Sequence, residues 1–163
     1  MAYDQARGVT VMVAGIGNST SLSDTWEWDG VAWTLRSTST PLTQDAAAFS
    51  FDRARGVSVL FGGASGADTW EWNGTSWSLR ASPGPTSREA VGLAADTARN
   101  TVVLFGGSGN GHDPSGETWE WNGQEWSLRA TDGPSPRDEL AMAYDSDRAV
   151  TVLFGGSTGI PNF

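Results

Sequence analysis

Three carboxylates recur in one setting. Glu27, Glu71 and Glu120 each stand between two tryptophans, and each is followed at the same spacing by an arginine, Arg36, Arg80 or Arg129. A glutamate in an apolar surround is a residue type used for general acid catalysis. A side chain present in every repeat is better read as structural, paired with the arginine on the neighbouring strand, since diagonal neighbours across a hairpin lie about 7–8 Å apart. The single histidine, His112, adjoins Asp113 in an insertion that lengthens one Gly-rich loop. Imidazole with carboxylate is a metal- or ligand-contacting pair, but a solvated loop is the simpler reading, and one histidine in such a loop gives no credible Ser-His-Asp set. Gly15-Ile16-Gly17 and Gly107-Ser108-Gly109-Asn110-Gly111 resemble phosphate cradles, yet neither opens a helix nor precedes a lysine. The nine tryptophans could stack on sugar rings; their placement favours packing instead.

The elements that must position these residues are repeats. Asp24-Thr25-Trp26-Glu27-Trp28-Asp29-Gly30 with Trp33, Asp68 to Gly74 with Trp77, and Glu117 to Gly123 with Trp126 hold every tryptophan. A motif returning at nearly fixed intervals signals a repeat architecture. Ahead of each lies a short apolar run ending in glycine: Val59-Leu60-Phe61-Gly62-Gly63, Val103 to Gly107 and Val152 to Gly156, with Val11 to Gly15 a degenerate first copy. Such β-branched runs bounded by glycine predict strands buried on both faces. In Trp-Glu-Trp the period of two sends both indoles one way and the glutamate the other. Asp29-Gly30, Asn73-Gly74 and Asn122-Gly123 then supply tight hairpins. If Trp28 faces Trp33 across that turn, Leu35 falls opposite Trp26, and Thr34 and Arg36 share the face of Glu27.

A fourth element precedes each Gly-Gly run: Ala46 to Asp52, Ala90 to Asp96 and Leu140 to Asp145. These stretches are Ala-rich, but their brevity between a Pro-rich loop and a tight turn favours strand. The turn recurs as Asp-x-x-Arg at Asp4, Asp52, Asp96 and Asp145, followed by Gly8, Gly56 and Asn100, types that accept the left-handed region; Ala149 breaks this rule. Each repeat is thus four antiparallel strands on short connections, a blade of a β-propeller.

Composition bounds what such a chain does. Its 163 residues suit one domain, 1–163. The formal charge of −9 argues against nucleic acid and against an anionic membrane surface, because binding phosphate needs a basic stripe. All ten basic residues are arginine, as in a GC-rich genome. Without cysteine there are no disulfides, no thiolate catalysis and no cysteine metal sites. No apolar run is long enough to span a membrane. The start, Met1-Ala2-Tyr3-Asp4, lacks the basic and apolar regions of a signal peptide.

Gly-Gly, Asp-Thr-Trp-Glu-Trp-Asn-Gly, a further Trp, a Pro-rich loop, and Arg137 leading into Ala141-Met142-Ala143-Tyr144-Asp145 together resemble the bacterial kelch repeat of the galactose oxidase central domain superfamily. The resemblance covers nearly the whole chain. It departs at Gln44, where Arg88 and Arg137 stand in later copies, at Ala47, Val91 and Leu140, where a histidine is often found, and at Ala14. It implies an all-β fold of propeller blades over about 1–40, 44–84 and 88–133, with a half blade over 137–163. Three and a half blades make an incomplete ring, so the expectation is a part of a longer propeller. The resemblance places the first strand of each blade on the central channel and the fourth outermost. Two sets of variable loops, 15–23, 63–67 and 107–116 with 37–43, 81–87 and 130–136, then share one face, where binding is expected. Candidate ligand-facing residues are Asn18, Ser65, Asn110, His112, Asp113, Arg88 and Arg137. Copper chemistry of the galactose oxidase kind needs more tyrosine and histidine and a cysteine than this chain has.

The functional expectation is a non-enzymatic scaffold that binds a protein, peptide or other ligand, with no cofactor and with self-association through open blade edges as a further outcome. The alternative is a carbohydrate-binding module or the non-catalytic part of a secreted enzyme, with an extracellular or cell-surface location implied by the resemblance.

Overall fold

A computed structural model describes residues 1–17, 20–40, 46–63, 66–80, 84–109 and 113–159. The described residues form fourteen strands and no helix. Strands β1 (Ala2–Asp4), β2 (Val9–Gly17), β3 (Thr20–Trp28) and β4 (Trp33–Ser37) make the first sheet. The second holds β5 (Ala48–Asp52), β6 (Val57–Phe61), β7 (Thr69–Trp72) and β8 (Trp77–Arg80), and the third holds β9 (Gly92–Asp96), β10 (Thr101–Phe105), β11 (Thr118–Trp121) and β12 (Trp126–Ala130). The last two strands, β13 (Asp138–Asp145) and β14 (Val150–Ser157), pair alone. All pairings are antiparallel between consecutive strands, and the blade-like sheets close no ring.

The Ala-rich stretches are strands, as their length and flanks require; β9 reads Gly92-Leu93-Ala94-Ala95-Asp96 in full register with β10. Local helix propensity loses here because tertiary burial on both sides rewards an extended strand. The outer hairpins take the predicted register: Trp28 faces Trp33, Glu27 faces Thr34 and Trp26 faces Leu35. The turn works through the side chain before the glycine. Asp29 Oδ1 accepts the amides of Val31 and Ala32, both at 2.8 Å, and Asn73 and Asn122 do the same in their hairpins.

One expected loop is largely strand. The resemblance implies a connection over 15–23, but Gly15 pairs with Leu22, Ile16 with Ser21 and Gly17 with Thr20. Ala14 and Gly15, at φ 50 and 130, absorb a bulge and let the ladder continue past it.

Sheets stack in chain order, with β1, β5, β9 and β13 as neighbouring inner strands. The main core lies between the second and third sheets, where Val59 and Phe61 meet Val102, Leu104, Trp121 and Trp126. Phe61 and Trp126 pack edge to face at 5.3 Å between ring centres. Backbone also crosses the boundaries: the Ala90 amide donates to the Ala46 carbonyl and the Glu139 amide to the Ala90 carbonyl, both at 3.0 Å. All three residues hold φ between 53 and 59. The amide of the later residue in each step reaches back to the carbonyl of the earlier one, from a left-handed conformation that the sequence pattern alone did not reveal.

The Gly-Gly ends have a steric cause. A side chain at Gly62 would strike the carbonyl oxygen of Arg88, and one at Gly106 that of Arg137. In the second and third sheets β6 and β10 therefore end where the backbone of Arg88 or Arg137 in the following repeat crosses.

Candidate functional site

Each of the three glutamates is held by two arginines. Glu27 is 2% exposed. Its Oε2 accepts from Arg36 Nε at 2.8 Å, and its Oε1 accepts from Arg7. Arg7 lies on the Asp-x-x-Arg turn and also donates from Nε to Asp4 Oδ2 at 2.7 Å. Glu71 repeats this with Arg80 at 2.7 Å and with Arg55, which reaches Asp52 at 2.9 Å. Glu120 repeats it with Arg129 at 2.8 Å and with Arg99, which reaches Asp96 at 2.7 Å. The hairpin arginine was expected from the sequence. The turn arginine was not, because it comes from two strands away, and its only signal was that Asp-x-x-Arg returned as regularly as Trp-Glu-Trp.

Indoles from the following repeat complete the first two clusters. Trp72 Nε1 donates to Glu27 Oε1 and Trp121 Nε1 to Glu71 Oε1, each at 3.2 Å. Beside them Trp77 Nε1 donates to Thr25 Oγ1 at 3.0 Å and Trp126 Nε1 to Thr69 Oγ1 at 2.8 Å. Desolvation pushes the Glu71 carboxyl upward, but the Arg55 guanidinium, with Trp121 and Arg80, outweighs it and holds the group below its ordinary value of 4.5. Glu27 is lowered against the same desolvation by Arg7, Trp72 and Arg36. A carboxylate kept ionised by two guanidinia is a poor proton donor, so this geometry makes an electrostatic rivet between sheets.

The candidate ligand-facing residues divide. Asn18, Ser65, Asn110 and His112 lie outside the described residues. Asp113 is exposed in the third-repeat insertion, next to Pro114, which forms an isolated bridge with Ser108. Arg88 is 6% exposed. Its guanidinium binds the Thr86 carbonyl at 3.1 Å, Thr86 Oγ1 at 2.8 Å and Glu117 Oε2 at 2.8 Å, and so ties the loop before β9 to the start of β11. Arg137 repeats the first part of this pattern with the Ser135 carbonyl at 3.0 Å, Ser135 Oγ at 2.7 Å and the Gly155 carbonyl at 2.9 Å. Arg137 as a residue is half-buried, and these guanidinium contacts are exposed rather than enclosed. Among the described residues no three His, Asp or Glu side chains gather as a metal would require.

A concavity of about 480 Å³ lies along the inner strands, an opening the sequence reading did not single out. Its walls include Tyr3, Phe49, Phe51, Arg53, Met142 and Tyr144. Four strands from four repeats each give it residues near their Asp-x-x-Arg turns. No local pattern marks it, since each wall residue belongs to a different copy and becomes a neighbour only when the sheets stack. Its size and its mix of aromatic faces with one guanidinium suit a small or extended ligand. Comparison with known proteins adds no relative: no protein-family model matches the chain, and no curated protein does.

Proposed function

We propose that the four sheets are blades of a kelch-type β-propeller and that they serve as a non-enzymatic scaffold binding a peptide or protein segment. The observation that carries this reading is the state of the repeated ionisable groups. Glu27, Glu71 and Glu120 are each held by two arginines of their own repeat, and Glu27 and Glu71 also by an indole of the next, so these repeated carboxylates are engaged in the scaffold and none is left free for proton transfer. Groups able to contact a ligand remain in the inner concavity and in loops such as that of Asp113. The concavity offers Tyr3, Phe49 and Tyr144 with Arg53, a set that suits an extended backbone bearing an apolar or acidic side chain.

A phage-displayed peptide library panned against the purified chain tests this. The expected result is a family of peptides that bind the chain and weaken at least about tenfold on Arg53→Ala or Tyr3→Ala, two exposed wall residues whose removal leaves the Tm of the chain nearly unchanged. Absence of any enriched peptide, or binding indifferent to both substitutions and to Asp113→Ala, overturns the reading. Tryptophan fluorescence that responds to a soluble polysaccharide while peptides do not bind favours the carbohydrate-module alternative.

A further inference from the structure

Arg53 is the one arginine that, among the described residues, holds nothing. All ten basic residues of the chain are arginines. Nine of them donate a hydrogen bond to a carboxylate, a carbonyl or a hydroxyl. Arg53 makes no such contact, although Arg55, just beyond it on the same turn, bridges Asp52 and Glu71. Arg53 is exposed between β5 and β6, in the second of the four sheets, and the inner strands β1 and β9 both pack against β5. Its surroundings are therefore set by neighbouring sheets on both sides.

The wall of the concavity around it is graded along the strand direction. Gln5, Arg53, Thr97 and Ser146, each the residue after the aspartate of an Asp-x-x-Arg turn, form the polar end of the wall. Beyond them lie apolar faces: Phe51 and Leu93, each 8% exposed, and Phe49, on the order of 10 Å from Arg53 at the rise of a strand. Among the described residues no aspartate or glutamate lines this opening, although the chain carries nineteen, and Arg53 is its only charged side chain. The aspartates that end β1, β5 and β9 are each bound by the arginine of their own turn. One unpartnered guanidinium, no acid and an apolar floor are complementary to a single negative charge carried beside an apolar group.

We infer that Arg53 is the specificity-determining residue of the concavity and that it selects a peptide segment in which an aspartate or glutamate side chain adjoins a bulky apolar residue. The carboxylate takes both edges of the Arg53 guanidinium, a planar fork that matches it, and the apolar side chain covers Phe49. Gln5 and Thr97, on the turns to either side, both donate and accept, which suits a main chain that continues past the acidic residue in both directions. The formal charge of −9 repels an anion at long range. That repulsion is screened beyond about 8 Å at physiological salt, so the pair formed at contact decides the preference. The inference rests on the peptide-scaffold reading and narrows it from apolar or acidic segments to acidic ones.

The test uses pools of short synthetic peptides, capped at both ends and flanked by leucine, phenylalanine and tyrosine, that differ only in a central glutamate, glutamine or lysine. Titrated against the intact chain, the glutamate pool should bind at least about tenfold more tightly than the glutamine pool, as for one charge-assisted hydrogen-bonded pair, and the lysine pool most weakly. Arg53→Glu should reverse the order of the glutamate and lysine pools. A reversal cannot come from a folding defect, which would weaken every pool alike, and thermal melts of the variant check its fold. The inference is overturned, and the peptide reading kept, if the three pools bind alike or if Arg53→Glu leaves their order unchanged. It is overturned as well if glutamine peptides with a free carboxyl terminus bind as tightly as the glutamate pool, since the ligand is then a chain end. If no pool binds, both readings fall together.

Discussion

Trp72 Nε1 lies 3.2 Å from Glu27 Oε1, and this hydrogen bond crosses the boundary between the first and second sheets. The indole is 1% exposed and the carboxylate 2%. One contact thus joins the largest buried side chain of one repeat to the ionic cluster of its predecessor, and it recurs between Trp121 and Glu71.

Removing that indole should separate packing from hydrogen bonding. Trp72→Ala is expected to cost about 3–5 kcal/mol, as aromatic truncations in cores do. Trp72→Phe keeps most of the apolar contact and loses only the donor, for about 1–2 kcal/mol. Urea unfolding of both variants at neutral pH measures this. Equal losses would mean that the bond to Glu27 carries the interface alone.

The carboxylate side of the rivet predicts an acid transition. Burial works to raise the Glu71 pKa, but the Arg55, Trp121 and Arg80 contacts hold it below 4.5 in the folded state. A depressed folded value means that the contribution is complete above the unfolded value and is lost as pH falls through the folded one. Stability should therefore be level from neutral pH to about 5 and decline below it. Glu71→Gln should lower the neutral plateau by about 2 kcal/mol, less than a fully enclosed pair would lose because Arg80 is partly in water. It should also flatten the decline. An unchanged acid slope in this variant would show that Glu71 is not the group responsible.

Four Asp-x-x-Arg turns place the residue after the arginine in the left-handed region, and the last does so with alanine. Ala149 stands at φ 53, where Gly56 stands at 66. Relieving that conformation outweighs glycine's extra chain entropy, so Ala149→Gly should stabilise by about 0.5 kcal/mol. Gly56→Ala should destabilise by a similar amount, since nothing within 4 Å would meet the added carbon. Thermal melts of the two variants should move in opposite directions; a shift of the same sign would remove the backbone explanation.

Gly106 combines that strain with a collision. It holds φ 74, and its added side chain would press on the Arg137 carbonyl oxygen. Gly106→Ala should cost at least about 2 kcal/mol, well beyond Gly56→Ala, because backbone cannot yield as a side chain can. Comparing the two in one denaturation series checks whether the crossing of β10 by the next repeat is as close as described. Similar small losses would refute it.

The sequence determined what depends on neighbours along the chain. Alternation in Trp-Glu-Trp placed Glu27 and Arg36 on one face, and Asp29-Gly30 set the hairpin that holds them in register. Turn chemistry and strand periodicity act over a few residues, so three copies of each could be read one by one. The tertiary structure decided what depends on stacking. It brought Arg7 from two strands away to Glu27, sent Trp72 into the preceding sheet, enclosed Arg88 against Glu117, and gathered Tyr3, Phe49 and Tyr144 around one concavity. These partners lie in different strands or different copies, and nothing in the spacing of either copy specifies the angle at which sheets meet. That angle follows from how the buried faces of Val59, Phe61, Trp121 and Trp126 interlock, which is a property of the packed sheets together and not of any one strand.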